Sequence, residues 1–204
     1  MTAVPAVPAV HDSTPGDREP GEVAAWIGDE PVPAADVAAE LAHLRAGPNA
    51  SRLPADGTAD GRQLRRWVTQ RVVLRRLLER EATARGLPVG TADPAVWTDA
   101  ALVGAAAAEV VASSAPARAV YLAVTADTAV SEVDILEHYR RNPDRYGDLP
   151  YSQARVRVAA AVLGYRRQRA FARWLDARVA ELVRLAPGYE HPADPRQPDA
   201  THRH

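Results

Sequence analysis

The chain contains no cysteine and no lysine. Without cysteine it can form no disulfide, no zinc–thiolate site and no thiol nucleophile. Its 25 basic side chains are therefore all arginines, and they face 26 acidic ones, which gives a net charge of −1. This balance argues against a general polyanion-binding surface, because affinity for phosphate backbones comes from accumulated positive charge. No nucleic-acid partner is predicted.

Long apolar runs and catalytic motifs are lacking as well. The N-terminus has no basic segment, its short apolar run is broken by proline, and no later stretch approaches an uncharged membrane span. Phosphate-loop, HExxH and GxSxG motifs are missing, and no carboxylate pair has catalytic spacing. The sequence predicts no catalytic residue, no membrane partner and a cytoplasmic location.

The longest pattern that is present predicts a helix over residues 152–186. Its apolar residues recur at steps of three and four, so they line one side of the helix. Ser152 is the predicted N-cap, and the Pro187–Gly188 step is the predicted stop. Such a helix is about 50 Å long, and only the earlier helices can cover its apolar side. The predicted fold is mainly α, with this C-terminal helix packed on the earlier helices and with disordered termini.

The rest of the chain supplies shorter elements. A short strand over residues 23–27 and a Gly-Asp turn precede a helix that ends near Arg45. A long second helix is predicted over residues 60–85 and a helix of small residues over 95–113. Residues 120–124 fit either a strand or a helix end.

These patterns divide the chain into three segments. Residues 1–20 are rich in proline and small residues and are predicted to be a disordered leader. Residues 21–186 form the helical domain, and residues 187–204 form a tail rich in proline and histidine. Ser131 and Asp134 are predicted to cap a further short helix, which Asn142-Pro143 ends.

The order of these segments resembles SurA-like chaperones and related parvulin-type peptidyl-prolyl isomerases. Residues 23–44 are similar to the strand, turn and helix that open those proteins, and residues 65–86 to their second helix. The sequence SEVDILEHYRRNPDRY at 131–146 is similar to the helix before the isomerase domain, and residues 169–175 to the helix that returns after it.

One departure from that family decides what the resemblance implies. Only five residues separate Tyr146 from Ser152, where an isomerase domain of roughly 90–100 residues is expected. The resemblance therefore implies a SurA N-terminal-like domain alone: a non-catalytic chaperone or peptide-binding module for unfolded or extended polypeptide. No catalytic residue can be carried over.

Two sets of residues are candidate sites. Trp26, Trp67, Trp97 and Trp174 are candidates for lining a client-binding groove, although tryptophan at helical spacing is more often a core residue. The tail carries side chains that bind divalent metals. These are His191, Asp194, Asp199, His202 and His204.

The tail supports a second hypothesis, a metal-binding accessory protein or an enzyme of a biosynthetic pathway. His43 and His138 are able to complete such a site if the tail folds back. The alternative is a solvated terminus without metal, with His43 on a helix surface and His138 paired with Glu137 or Asp134.

Two further expectations concern surfaces. The arginines from Arg166 to Arg173 have two interpretations, a nucleic-acid-binding patch or a solvated helix face whose charge is balanced by Asp176 and Glu181. The second interpretation is favoured. A homodimer that exchanges the last helix between two copies is a third functional hypothesis.

Overall fold

The structure is a computed structural model that describes residues 21–88 and 105–191. The predicted leader, Trp97 and the tail beyond His191 lie outside these residues. Within them, seven α-helices and a small sheet of three strands confirm the prediction of a mainly α fold. None of the described helices is both long enough and apolar enough to cross a membrane.

The elements follow one another with short connections. The strands are β1 (Val23–Ile27), β2 (Glu30–Pro33) and β3 (Val183–Leu185). The helices are α1 (Ala34–Ala46), α2 (Ala59–Ala84), α3 (Ala105–Ser113), α4 (Ala115–Val124), α5 (Glu132–Arg141), α6 (Pro143–Tyr146) and α7 (Tyr151–Leu182). A 3₁₀ turn, Ala50–Arg52, precedes α2.

The predicted ends of several helices are confirmed by their capping contacts. At the C-terminus of α2, Gly86 has a φ of 60° and its N–H donates to the Thr83 carbonyl at 3.0 Å. The Leu87 N–H donates to the Ala82 carbonyl at 3.0 Å, which completes a Schellman motif. Ser131 and Asp134 form the predicted capping box of α5.

Both predicted ends of the last helix are wrong. The helix begins at Tyr151 with Pro150 as its N-cap, not Ser152, because the extended backbone of Pro150 leads directly into the first turn. It ends at Leu182, because residues Val183–Leu185 pair with β1 as an antiparallel strand. The competing sheet partner lies far away in the sequence, so helical periodicity gave no sign of it.

The helix α2 forms the centre of the main core. Its buried apolar residues, which include Val68, Leu77 and Leu78, pack against the sheet and against α1, α3 and α4. The ambiguous residues 120–124 are helical: Ser114 caps α4, and Val120 and Tyr121 are fully buried in the same core.

The long helix α7 contributes to two separate cores. Near its C-terminus, Phe171 and Leu175 enter the main core, where Phe171 meets the ring of Tyr121 edge-on at 5.1 Å. Near its N-terminus, Ala154, Val158 and Val162 instead form a second cluster with residues of α5 and α6. We call α5, α6 and the N-terminal half of α7 the arm. The helix α7 does pack on earlier helices, but only its C-terminal half reaches the main core.

A buried carboxylate links α2 to α7. Glu81 is only 4% exposed and accepts hydrogen bonds from Arg178 of α7, at 3.0 Å from Nε, and from Arg85, at 3.2 Å. The hydrogen bond to the Glu81 carboxylate raises the pKa of Arg178.

The Arg178→Ala variant is expected to lose about 1–2 kcal/mol of unfolding free energy, because Glu81 loses one charged donor but keeps Arg85. Thermal unfolding followed by circular dichroism should show Tm lower by about 4 °C. Arg173→Ala removes an exposed arginine of the same helix and should leave Tm unchanged. Equal Tm values for the two variants would contradict the proposed role of this link.

The stability of the arm is expected to depend on the ionisation of Glu132. Hydrogen bonds from Arg155 and then from the Tyr151 hydroxyl hold the pKa of this carboxyl below its usual 4.5. A lowered folded-state pKa stabilises the fold above the unfolded-state pKa, and this stabilisation is lost as the pH falls through the folded-state pKa.

The Tm of the wild type should therefore exceed that of Glu132→Gln at neutral pH, and the difference should shrink as the pH falls below about 4.5. Asp144→Asn, which changes an exposed carboxylate of α6, is the control. A difference that stays constant with pH would show that the carboxylate does not link these helices.

Candidate functional site

The three described tryptophans lie at the edge of the main core, each beneath an arginine. Trp26 of β1 lies under Arg184 at 4.3 Å, and Trp67 of α2 under Arg71 at 4.9 Å. Trp174 of α7 stacks on Phe171 and lies 5.1 Å from the guanidinium of Arg85. These distances are those of cation–π contacts.

The tryptophans lie on three different elements and are all partly buried. The two cavities described below are lined by other side chains. That Trp26, Trp67 and Trp174 line a client groove remains a prediction, and Trp97 lies outside the described residues.

Of the five candidate metal ligands in the tail, the structure describes one, His191. Residues Asp194, Asp199, His202 and His204 lie outside the described part of the chain. Within residues 21–88 and 105–191, no three His, Asp or Glu side chains come together in a way that could hold a metal ion.

The other two candidate histidines are His43 of α1 and His138 of α5. His43 is exposed on α1, as expected for a helix-surface residue. The expected pairing of His138 with Glu137 or Asp134 is wrong. Glu137 pairs with Arg141 and Asp134 with Arg166, and the His138 ring lies edge-on against Tyr146 at 6.0 Å.

An apolar pocket of about 320 Å³ opens between α2, α3, α7 and β3. Its walls are mostly aliphatic, and its volume falls within the range of small-molecule and side-chain binding sites. The apolar walls are Val73, Leu74, Ala106, Ala107, Leu175, Val179, Val183 and Leu185. Gln70, Asp176 and His191 add polar groups. We call this the strand-edge pocket, because β3 forms one of its walls.

The strand β3 lies at one edge of the sheet, whose order among the described strands is β2-β1-β3. At the other edge, β2 carries Pro31 and Pro33, and proline restricts further pairing. No proline lies within β3 itself.

The register shows which backbone groups of β3 point outward. The Gly28 N–H donates to the Leu182 carbonyl at 2.7 Å, and the Ala186 N–H donates to the Ala24 carbonyl at 2.9 Å. Hydrogen-bonded and non-hydrogen-bonded pairs alternate along an antiparallel ladder, so the pairs of Val183 and Leu185 with β1 are of the second kind. The Leu185 N–H and the carbonyls of Leu185 and Val183 therefore face away from β1.

Val183 and Leu185 also direct their side chains into the strand-edge pocket. Arg184, between them, points to the opposite face and covers Trp26. A backbone edge with which no other described strand pairs thus lies beside an apolar pocket. Sequence reasoning missed this site because it treated residues 183–185 as helical; the alternation Val-Arg-Leu was the available signal.

Comparison with known proteins gives no functional assignment. Residues 23–60, which cover β1, β2, α1 and the 3₁₀ turn, match a family model described as a family of unknown function (DUF7158). Neither the curated proteins nor the solved structures yield a match.

The metal hypothesis predicts that the purified full-length chain carries stoichiometric zinc, nickel, copper or iron. A variant that stops after His191 removes four of the five candidate ligands but keeps Tyr189, which is buried in the main core. Elemental analysis of both proteins should show the metal lost on truncation. Metal-free full-length protein, or equal metal content in the two, would reject the hypothesis.

Proposed function

We propose that this chain is a non-catalytic, SurA-like chaperone or peptide-binding module that lacks an isomerase domain and acts on extended polypeptide in the cytoplasm. The observation that carries this proposal is the outer edge of β3, with which no other strand in residues 21–88 and 105–191 pairs, beside the strand-edge pocket. Strand addition is a common way for proteins to hold unfolded segments, since main-chain hydrogen bonds supply affinity without requiring one sequence.

An extended client segment pairs with β3 through the outward backbone groups of Leu185 and Val183. Alternate side chains of a strand point to the same face. A client residue on the face of Val183 and Leu185 therefore points toward the strand-edge pocket, and its neighbours point away. The walls of the pocket select an aliphatic or aromatic side chain at that position.

The order of elements supports the proposal from another direction. The opening hairpin and α1, the arm and the returning α7 occur in the order expected from the SurA resemblance. Only residues 147–150 connect α6 to α7, at the point where the related proteins carry their isomerase domain. The proposed module thus binds a client by its own surface alone.

The pocket is tested with a labelled peptide of alternating valine and threonine. Val179→Gln places a polar side chain in the pocket wall and is expected to weaken binding about tenfold, a loss of about 1.4 kcal/mol. Val156→Gln makes the same change on the same helix at a residue that is 75% exposed, and should bind like the wild type. Fluorescence anisotropy measures both affinities.

Strand pairing is tested on the peptide itself. Methylating alternate backbone nitrogens removes one set of donors, and the set facing β3 should abolish binding while the other set leaves it intact. The protein variants should differ in the same way when they suppress aggregation of a chemically unfolded client: Val179→Gln should suppress it less than the wild type, and Val156→Gln should suppress it equally well. No binding of either peptide at tens of micromolar, together with no effect on aggregation, would reject the proposed function.

A further inference from the structure

A second, open cavity of about 510 Å³ lies between α7 and the loop that connects α4 to α5. Arg166, Arg169 and Arg173 line it, together with Tyr165 and small apolar residues such as Ala170. The three arginines are spaced i, i+3 and i+7, which places them along one side of the helix. We call this cavity the arginine groove.

Two of the arginines are held in place by the protein. Arg166 donates to the Ala129 carbonyl at 2.9 Å and pairs with Asp134, so it fixes the loop against α7. Arg169 lies over the Tyr165 ring at 5.7 Å and donates to its hydroxyl oxygen at 3.3 Å. The guanidinium groups of these residues therefore lose less conformational freedom when they bind a ligand.

Positive charge exceeds negative charge in the groove. The carboxylates expected to balance these arginines do not pair with them: Glu181 pairs with Arg178 at 2.6 Å, and Asp176 lines the strand-edge pocket. Arg173 is exposed and forms no ion pair with any residue in the described ranges. Three arginines thus line the groove, and one of them, Arg166, is paired with a carboxylate, that of Asp134.

We propose that the arginine groove binds an acidic segment of another polypeptide. Planar guanidinium groups bind carboxylates through paired hydrogen bonds, and the spacing of Arg169 and Arg173 presents two of them one turn apart. The apolar floor formed by Val162 and Ala170 accommodates the aliphatic part of a glutamate side chain.

Charge complementarity favours an acidic polypeptide over nucleic acid. A nucleic-acid strand would place many phosphates against a patch of three arginines. Affinity for such a strand requires a basic surface that follows the backbone over several nucleotides. A short acidic segment needs only the contacts that the groove provides. This inference rests on different residues from those of the strand-edge pocket.

The test is made on the full chain with a labelled glutamate-rich peptide that contains no apolar residue, so that the peptide has no side chain for the strand-edge pocket. The double variant Arg169→Gln/Arg173→Gln keeps Arg166 and hence the loop contact. It is expected to bind this peptide about tenfold more weakly than the wild type. The matched control, Arg52→Gln/Arg145→Gln, removes two exposed arginines outside the groove and should bind like the wild type.

Two further ligands identify the chemistry that is recognised. The same peptide with glutamine in place of glutamate should not bind, and added salt should weaken the wild-type complex. Equal weakening by the two double variants would show general attraction to arginine and overturn the proposal. Tighter binding of a single-stranded oligothymidine of equal charge would overturn it in favour of nucleic acid. Circular dichroism of both double variants shows whether the helical fold is retained.

Discussion

The pairing of β3 with β1 is the constraint on which the rest of the structure depends. It joins residues 23–27 to residues 183–185, so it draws the end of α7 back to the first strand of the chain. Without this pairing, nothing in the sheet would fix the C-terminal end of α7 beside α2. No other described strand pairs with the outer edge of β3, and Val183 and Leu185 form one wall of the strand-edge pocket. A single short strand thus both closes the main core and creates the candidate site.

The helix α7 connects two packing environments that differ in kind. Its C-terminal half adds Phe171 and Leu175 to a core already centred on α2. Its N-terminal half depends on a smaller cluster, around Ile135 and Val158, and on exposed polar contacts such as Glu132 with Arg155. Since apolar burial is the main favourable term in folding, the arm has less to stabilise it than the main core. The arginine groove lies near the junction of the two.

The arginines of this chain do several structural tasks that lysine performs poorly. They cover the three described tryptophans, they hold the buried Glu81 between α2 and α7, and Arg166 fixes the loop before α5. A planar guanidinium can stack on a ring and donate several hydrogen bonds at once. The arginines of the groove stand out because Glu181, which was expected to neutralise them, pairs with Arg178, and Asp176 lines the strand-edge pocket.

The sequence by itself determined the elements whose signals are local. Gly86 ended α2 because only a residue tolerant of positive φ completes that cap, and Ser131 with Asp134 began α5 because their side chains reach neighbouring backbone groups. Only the tertiary structure decided that Val183–Leu185 is a strand, that α7 is shared between two cores, and that Glu181 pairs with Arg178 and not with an arginine of the groove. The strand and the sharing of α7 depend on partners distant in the sequence, and the local spacing of apolar residues does not show where those partners lie.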